Sequence, residues 1–118
     1  MKVGQRLRVR AKQFALETIR LYAALPKKAE ALVLCKQLLR SGTSVGAHYR
    51  EAQRARSTAE FIGKFEGGMQ ELEETLYWLK LLEESGFVVG EGVSTLQKEA
   101  NELMAIMVAS VKTAKRIS

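Results

Sequence analysis

The chain carries one cysteine, one proline and one histidine in 118 residues, and aromatic residues make up 7% of it. The lone Cys35 excludes an internal disulfide. Its setting, L-V-L-C-K-Q-L-L, reads as a half-buried thiol rather than a reactive one. A cytoplasmic setting is the natural expectation. With Pro26 as the sole proline, long stretches are free to be helical. No run of 18 uncharged apolar residues occurs, so no membrane span is expected. The opening M-K-V-G-Q-R-L-R-V-R has charge but no apolar stretch behind it, unlike a secretory signal. Strand-like alternation and internal repeats are both missing.

The scarcity of histidine also limits chemistry. With His48 alone, no nucleophile, base and orienting group can be assembled around Cys35, Ser41 or Ser44. Gly42-Thr43-Ser44 lacks the lysine and spacing of a phosphate-binding loop. His48 and Glu51 are spaced i, i+3 and share a helix face. Di-iron bundles, however, need Glu-x-x-His on two helices and two further carboxylates. The expectation is no catalytic residue, no metal and no cofactor.

What is present is helical. Hydrophobic residues make up 47% of the chain, enough for one domain over residues 1–118. Leu7, Ala11, Phe14, Thr18, Leu21 and Leu25 form a helical stripe that should end at Pro26, which disfavours helical geometry before it. Pro26 could open the second helix, which the pattern carries from about Ala29 to Arg56. Its stripe is Leu32, Cys35, Leu38 or Leu39, Gly42, Val45, Tyr49 and Ala52. Ser57-Thr58-Ala59-Glu60 fits a capping box for a third helix with Phe61, Phe65, Met69, Leu72, Leu76 and Leu79. Gly86 and Phe87 look like its left-handed stop and the apolar residue folding back on it. A V-V-G-E-G loop then leads to Ser94-Thr95-Leu96-Gln97, a second capping box, and to Leu96, Ala100, Leu103, Met107, Ser110, Val111 and Ala114. Four stripes with short connections predict an all-α, antiparallel up-down-up-down four-helix bundle.

The stretch Ser41–Glu51, S-G-T-S-V-G-A-H-Y-R-E, is unusual for a helix. Gly42 and Gly46 each cost ~1 kcal/mol relative to Ala, and the hydroxyls compete for backbone bonds, so a break at Ser41–Thr43 is conceivable. Close approach of a neighbouring helix along the Gly42/Gly46 face would offset this, and Gly46→Leu should overpack it. Tyr77, Trp78 and Leu81 on helix 3, and Met104, Ile106 and Val108 on helix 4, widen those helices beyond one seam. Such width predicts self-association.

The net charge is +6, unevenly spread. Residues 1–28 carry +7, 29–56 carry +3, 57–86 carry −5 and 87–118 carry +1. The basic half offers Arg6, Arg8, Arg10, Lys12, Arg20, Lys27, Lys28, Arg54 and Arg56 to phosphates. The same charges also serve solubility and pairing with the acidic third helix. On helix 2, Ser44, His48, Arg50 and Glu51 are expected to form a polar network to a neighbour. Glu71 and Glu74 are the candidate partners of Arg50 or Arg54.

The order of features resembles the four-helix bundle family named after the protein encoded in intervening sequences of bacterial 23S rRNA genes. The resemblance runs from F-A-L-E-T-I-R-L-Y-A-A-L-P-K at residues 14–27 to helix 4. It is most specific in L-L-R-S-G-T-S-V-G-A-H-Y-R-E-A at 38–52, S-T-A-E-F-I-G-K-F at 57–65 and E-L-E-E-T-L-Y-W-L-K-L-L at 71–82. Glu51 matches the family pattern, which commonly has Asn where this chain has His48. The resemblance implies a ring-shaped homopentamer without enzymatic activity. A related group, the accessory proteins of diversity-generating retroelements, is basic and pentameric and binds nucleic acid and a reverse transcriptase. The expected function is a non-enzymatic oligomer that binds RNA or DNA through a basic surface with little sequence preference. The alternative is a structural scaffold that binds an acidic protein.

Overall fold

Helix α1 runs over Val3–Ala24, α2 over Ala29–Gln53, α3 over Thr58–Glu84 and α4 over Glu91–Ile117 in the computed structural model. It describes residues 3–87 and 90–117; Val88 and Val89 of the expected V-V-G-E-G loop lie outside them. The four helices pack in a ring, α1 on α2 and α4, α3 on α2 and α4, with the α2–α3 seam the most extensive. The molecule is 47 Å long and 25 by 19 Å across. No helix among the described residues is long and apolar enough to cross a membrane.

The core follows the expected stripes. Leu7, Ala11, Phe14 and Thr18 of α1 are buried, as are Cys35, Leu38, Val45, Tyr49 and Ala52 of α2. Phe65, Leu72 and Leu79 of α3 meet Leu96, Ala100, Leu103, Met107 and Val111 of α4. The register differs in places: Ala31 is fully buried where Leu32 was expected, and on α3 Gly68 and Thr75 are buried where Met69 and Leu76 were expected, the three expected residues being half-buried. Ala31 lies four residues before Cys35, so it continues the same face one turn back.

The helix ends show which local signals prevail. Ser57 Oγ accepts from the Glu60 N–H at 3.0 Å, half of the predicted capping box. The Glu60 carboxylate reaches back to the N–H of Arg56, not of Ser57, at 3.4 Å. Gly86 has φ +79°, the left-handed stop expected after α3, and half-buried Phe87 packs onto the core. Pro26 does not open α2: Lys28 is its N-cap, with extended φ and ψ. Lys27 Nζ instead donates to the carbonyls of Tyr22 and Leu25 and sits 4.1 Å above the Tyr22 ring, closing the end of α1. Helix α2 stops at Gln53, three residues before the expected Arg56. Ser94 is not a cap. Helix α4 begins at Glu91, and Ser94 Oγ donates to the Glu91 carbonyl at 3.1 Å from inside the first turn.

The Ser41–Thr43 segment is unbroken helix. Its hydroxyls are satisfied by carbonyls of the helix itself, without breaking it. Thr43 Oγ1 donates to Leu39 O (2.7 Å) and Ser44 Oγ to Arg40 O (2.6 Å), both one turn back. Thr75 Oγ1 donates to Ser41 Oγ (2.8 Å) across the α2–α3 seam, and Ser41 Oγ to Leu38 O (3.3 Å). That leaves a buried hydroxyl pair satisfied. Gly42 and Gly46 both face α1, as their spacing implied. A Cβ on Gly42 would meet Thr18 Oγ1 at 2.6 Å, whereas one on Gly46 would lie 3.6 Å from Ala11 O.

Candidate nucleic-acid interface

The antiparallel pairing of α1 and α2 decides which cations meet. Tyr49 OH donates to the Gly4 carbonyl at 2.7 Å, Gly46 faces Ala11, and Gly42 faces Thr18. The start of α1 therefore lies beside the end of α2. Arg8 falls next to Tyr49, and its charge opposes the burial that pushes the Tyr49 hydroxyl pKa up. Arg50 is in the last turn of α2 and Arg54 is the residue that caps its C-terminus. Arg8, Arg50, Glu51, Gln53 and Arg54 line an open groove of about 380 Å³. Arg50 also sits in the last turn of α2, where a cation complements the helix dipole.

The remaining candidates scatter. Arg6 and Arg56 are exposed near the same end of the bundle, and Lys12 is exposed half-way along α1. Arg10 is not free. Its Nε and Nη2 fork onto the two carboxylate oxygens of Glu99 at 3.0 Å each, with Glu102 at 3.3 Å, tying α1 to α4. The Glu99 hydrogen bonds raise the Arg10 pKa against partial desolvation. Arg20 pairs with Glu17 one turn away on α1 at 2.7 Å. Lys27 and Lys28 belong to the α1–α2 turn, about 30 Å along the bundle from Arg6 at ~1.5 Å per residue.

The expected polar network on α2 is only partly formed. Ser44 bonds its own helix. Glu51 pairs with Lys64 of α3 at 3.2 Å, while Arg50 turns to the groove. His48 lies against α3, where a Cβ on Gly67 would come within 2.9 Å of its ring, and its buried Nδ1 has no hydrogen-bond partner among the described residues. Glu71 and Glu74 take Arg40 at 3.1 and 2.8 Å, not Arg50 or Arg54. Arg40 sits at the middle of α2 opposite those acids, whereas Arg50 and Arg54 lie beyond the acidic stretch of α3. The sequence reading missed Arg40 as the α2–α3 tie and Arg50 as a groove cation. The i, i+4 spacing of Arg50 and Arg54 was the available signal. Among the described residues no three His, Cys, Asp or Glu side chains converge on a metal-sized site.

A second surface is apolar. Phe61, Ile106, Ala109, Thr113, Ala114 and Ile117 line a shallow groove between the start of α3 and the end of α4, and Ile117 is 79% exposed. Tyr77 on α3 is 57% exposed beside half-buried Trp78, with ring centres 5.3 Å apart. Met104, Ile106 and Val108 are half-buried.

Comparison with known proteins agrees with this architecture. The model of the 23S rRNA-intervening sequence protein family matches residues 5–109. A crystal structure of a protein of unknown function from the S23 ribosomal protein family of Bacteroides thetaiotaomicron superposes with a TM-score of 0.83. It is 32% identical, covering 92% of this chain and 97% of that one. No curated protein matches.

Proposed function

We propose for this chain, which belongs to the 23S rRNA-intervening sequence protein family, a non-enzymatic role as a self-associating bundle that holds RNA or DNA through a basic surface. The observation that carries this reading is the convergence of Arg8, Arg50 and Arg54 on one groove at one end of the bundle. None of the three pairs with a carboxylate among the described residues. Such a surface gains affinity from counterion release and reads no base edges, so sequence preference is small. The placement of Cys35 and His48 supports a non-catalytic role. Cys35 is buried, and desolvation pushes its thiol pKa up, away from the reactive thiolate. His48 is wedged against Gly67.

Self-association is supported by the exposed Tyr77 and Ile117 and the α3–α4 groove. Five subunits is the number the family resemblance implies. A ring would repeat the arginine groove and let one polyanion engage several copies. The kinship to retroelement accessory proteins, with a reverse transcriptase as partner, belongs to the same reading, as does a cytoplasmic setting. The second reading, a scaffold for an acidic protein, is favoured by the same apolar groove, which suits a protein partner better than a phosphate backbone.

Filter binding of single- and double-stranded RNA and DNA, at low and physiological salt, tests the first reading. The expected result is binding of unrelated sequences alike, with affinity falling steeply as salt rises. Absence of binding at low salt overturns it and leaves the scaffold reading in its place.

A further inference from the structure

The arginine groove is built differently from a surface that tracks a phosphate backbone. Backbone tracking needs cations spaced along the path. Here three arginines, one from α1 and two from the end of α2 and its C-cap, line a single groove of about 380 Å³. Arg50 lies in the last turn of α2, Arg54 is its C-cap, and Arg8 comes from the facing helix α1. The acid in the groove, Glu51, is ion-paired with Lys64 at 3.2 Å and, among the described residues, with none of the three arginines. Several cations that would extend the path are committed elsewhere: Arg10 to Glu99 and Glu102, Arg20 to Glu17, and Arg40 to Glu71 and Glu74. Three arginines are therefore gathered on this one groove, with Arg6 and Arg56 exposed outside it at the same end.

Such a gathering suits a compact dianion. An interior phosphodiester carries about one negative charge, whereas a phosphate monoester carries roughly 1.5 to 2 at neutral pH and has three acceptor oxygens. Guanidinium forks match those oxygens two at a time, and arginine keeps its charge when partly desolvated. Gln53, on the same wall, adds an amide donor. We infer that the Arg8–Arg50–Arg54 groove is a site for a terminal phosphate monoester, so that the protein grips a phosphorylated end of a nucleic acid in preference to its interior. This rests on the nucleic-acid reading above and adds to it the part of the polymer that is recognised.

The test uses one short single-stranded oligonucleotide with a fluorophore on an internal base, prepared with a 5′-phosphate, with a 3′-phosphate, or with hydroxyls at both ends. Fluorescence anisotropy is titrated with the full chain and with two variants, R50Q/R54Q and R8Q. All three positions are exposed, and circular dichroism checks that the variants remain folded. Wild type should bind at least one phosphorylated form about tenfold more tightly than the hydroxyl form, in line with one or two charge-assisted hydrogen bonds gained. R50Q/R54Q should abolish that preference, and R8Q should reduce it. Equal binding of all three forms by wild type overturns the end-site while leaving the nucleic-acid reading standing. A preference that persists undiminished in both variants overturns the assignment to this groove. Absence of binding by every form at low salt removes the nucleic-acid reading and the end-site together.

Discussion

Gly42 of α2 and Thr18 of α1 occupy the same space from opposite sides: a Cβ on Gly42 would lie 2.6 Å from Thr18 Oγ1 and 2.7 Å from its methyl carbon. Thr18 cannot yield, because it is fully buried and its hydroxyl donates to the Phe14 carbonyl at 2.8 Å. Gly42→Ala should therefore destabilise by up to about 2 kcal/mol, an overpacking cost of ~1–3 reduced by the ~1 that Ala gains over Gly in a helix. Gly46→Ala places its methyl at ordinary contact distance from Ala11 and should be neutral or up to about 1 kcal/mol stabilising. Urea melts of the two variants give the comparison. Equal effects would contradict the close-approach account.

Loss of the Ser57 cap should cost about 1 kcal/mol, because Ser57→Ala leaves the Glu60 N–H without its partner at the start of α3. Ser94→Ala should change stability by no more than a few tenths of a kcal/mol, since Ser94 only donates back within α4. Thermal unfolding of both would show the difference between two serines that look alike in sequence.

Arg10→Met keeps the aliphatic stem but removes the fork onto Glu99. About a third of each side chain is exposed, so solvent screening limits the cost to about 1 kcal/mol. The loss should shrink at high salt. A cost that is unchanged by salt would locate the contribution in packing instead.

Alkaline pH should weaken the fold. Burial raises the pKa of Cys35 above its ordinary 9.0 and of Tyr49 above its ordinary 10.0. The unfolded chain then loses those protons first, so both contributions are fully present below pH 9 and decline as pH rises towards the raised folded values. Cys35→Ser or Cys35→Ala should flatten the onset of that decline in urea melts run from neutral to alkaline pH. A wild-type stability that is constant well above pH 9 would refute the assignment.

Light scattering should return a mass several times the 13.2 kDa of one chain. Replacing exposed Tyr77 and Ile117 by Lys should lower that mass if those side chains lie in the contact. A monomer mass for the wild type at micromolar concentration would remove self-association from the proposed function.

Periodicity alone determined most of the fold. Apolar residues recur at three- and four-residue steps because one face of each helix must leave water, and that requirement is written in consecutive residues. The Ser57 cap, the Gly86 stop and the tight Gly42 face were legible for the same reason, since each is a local backbone demand. Ser94 and Pro26 carried equally good local signals that did not prevail. Helix α4 starts at Glu91, ahead of Ser94, and buries Val93 in its first turn, and α2 opens at Ala29 behind Lys28 rather than at Pro26. The partners of the charges were decided only by tertiary structure. Arg10 and Arg8 are two residues apart in sequence, yet about 200° apart around the helix. One faces Glu99 on α4 and the other faces the α2 groove. Which acids or cations wait on each side depends on the antiparallel order of the helices and on their axial register. Neither can be counted from composition, so the basic half of the chain supplied a buttress to α4, a tie to α3 through Arg40, a pair within α1 and an arginine groove.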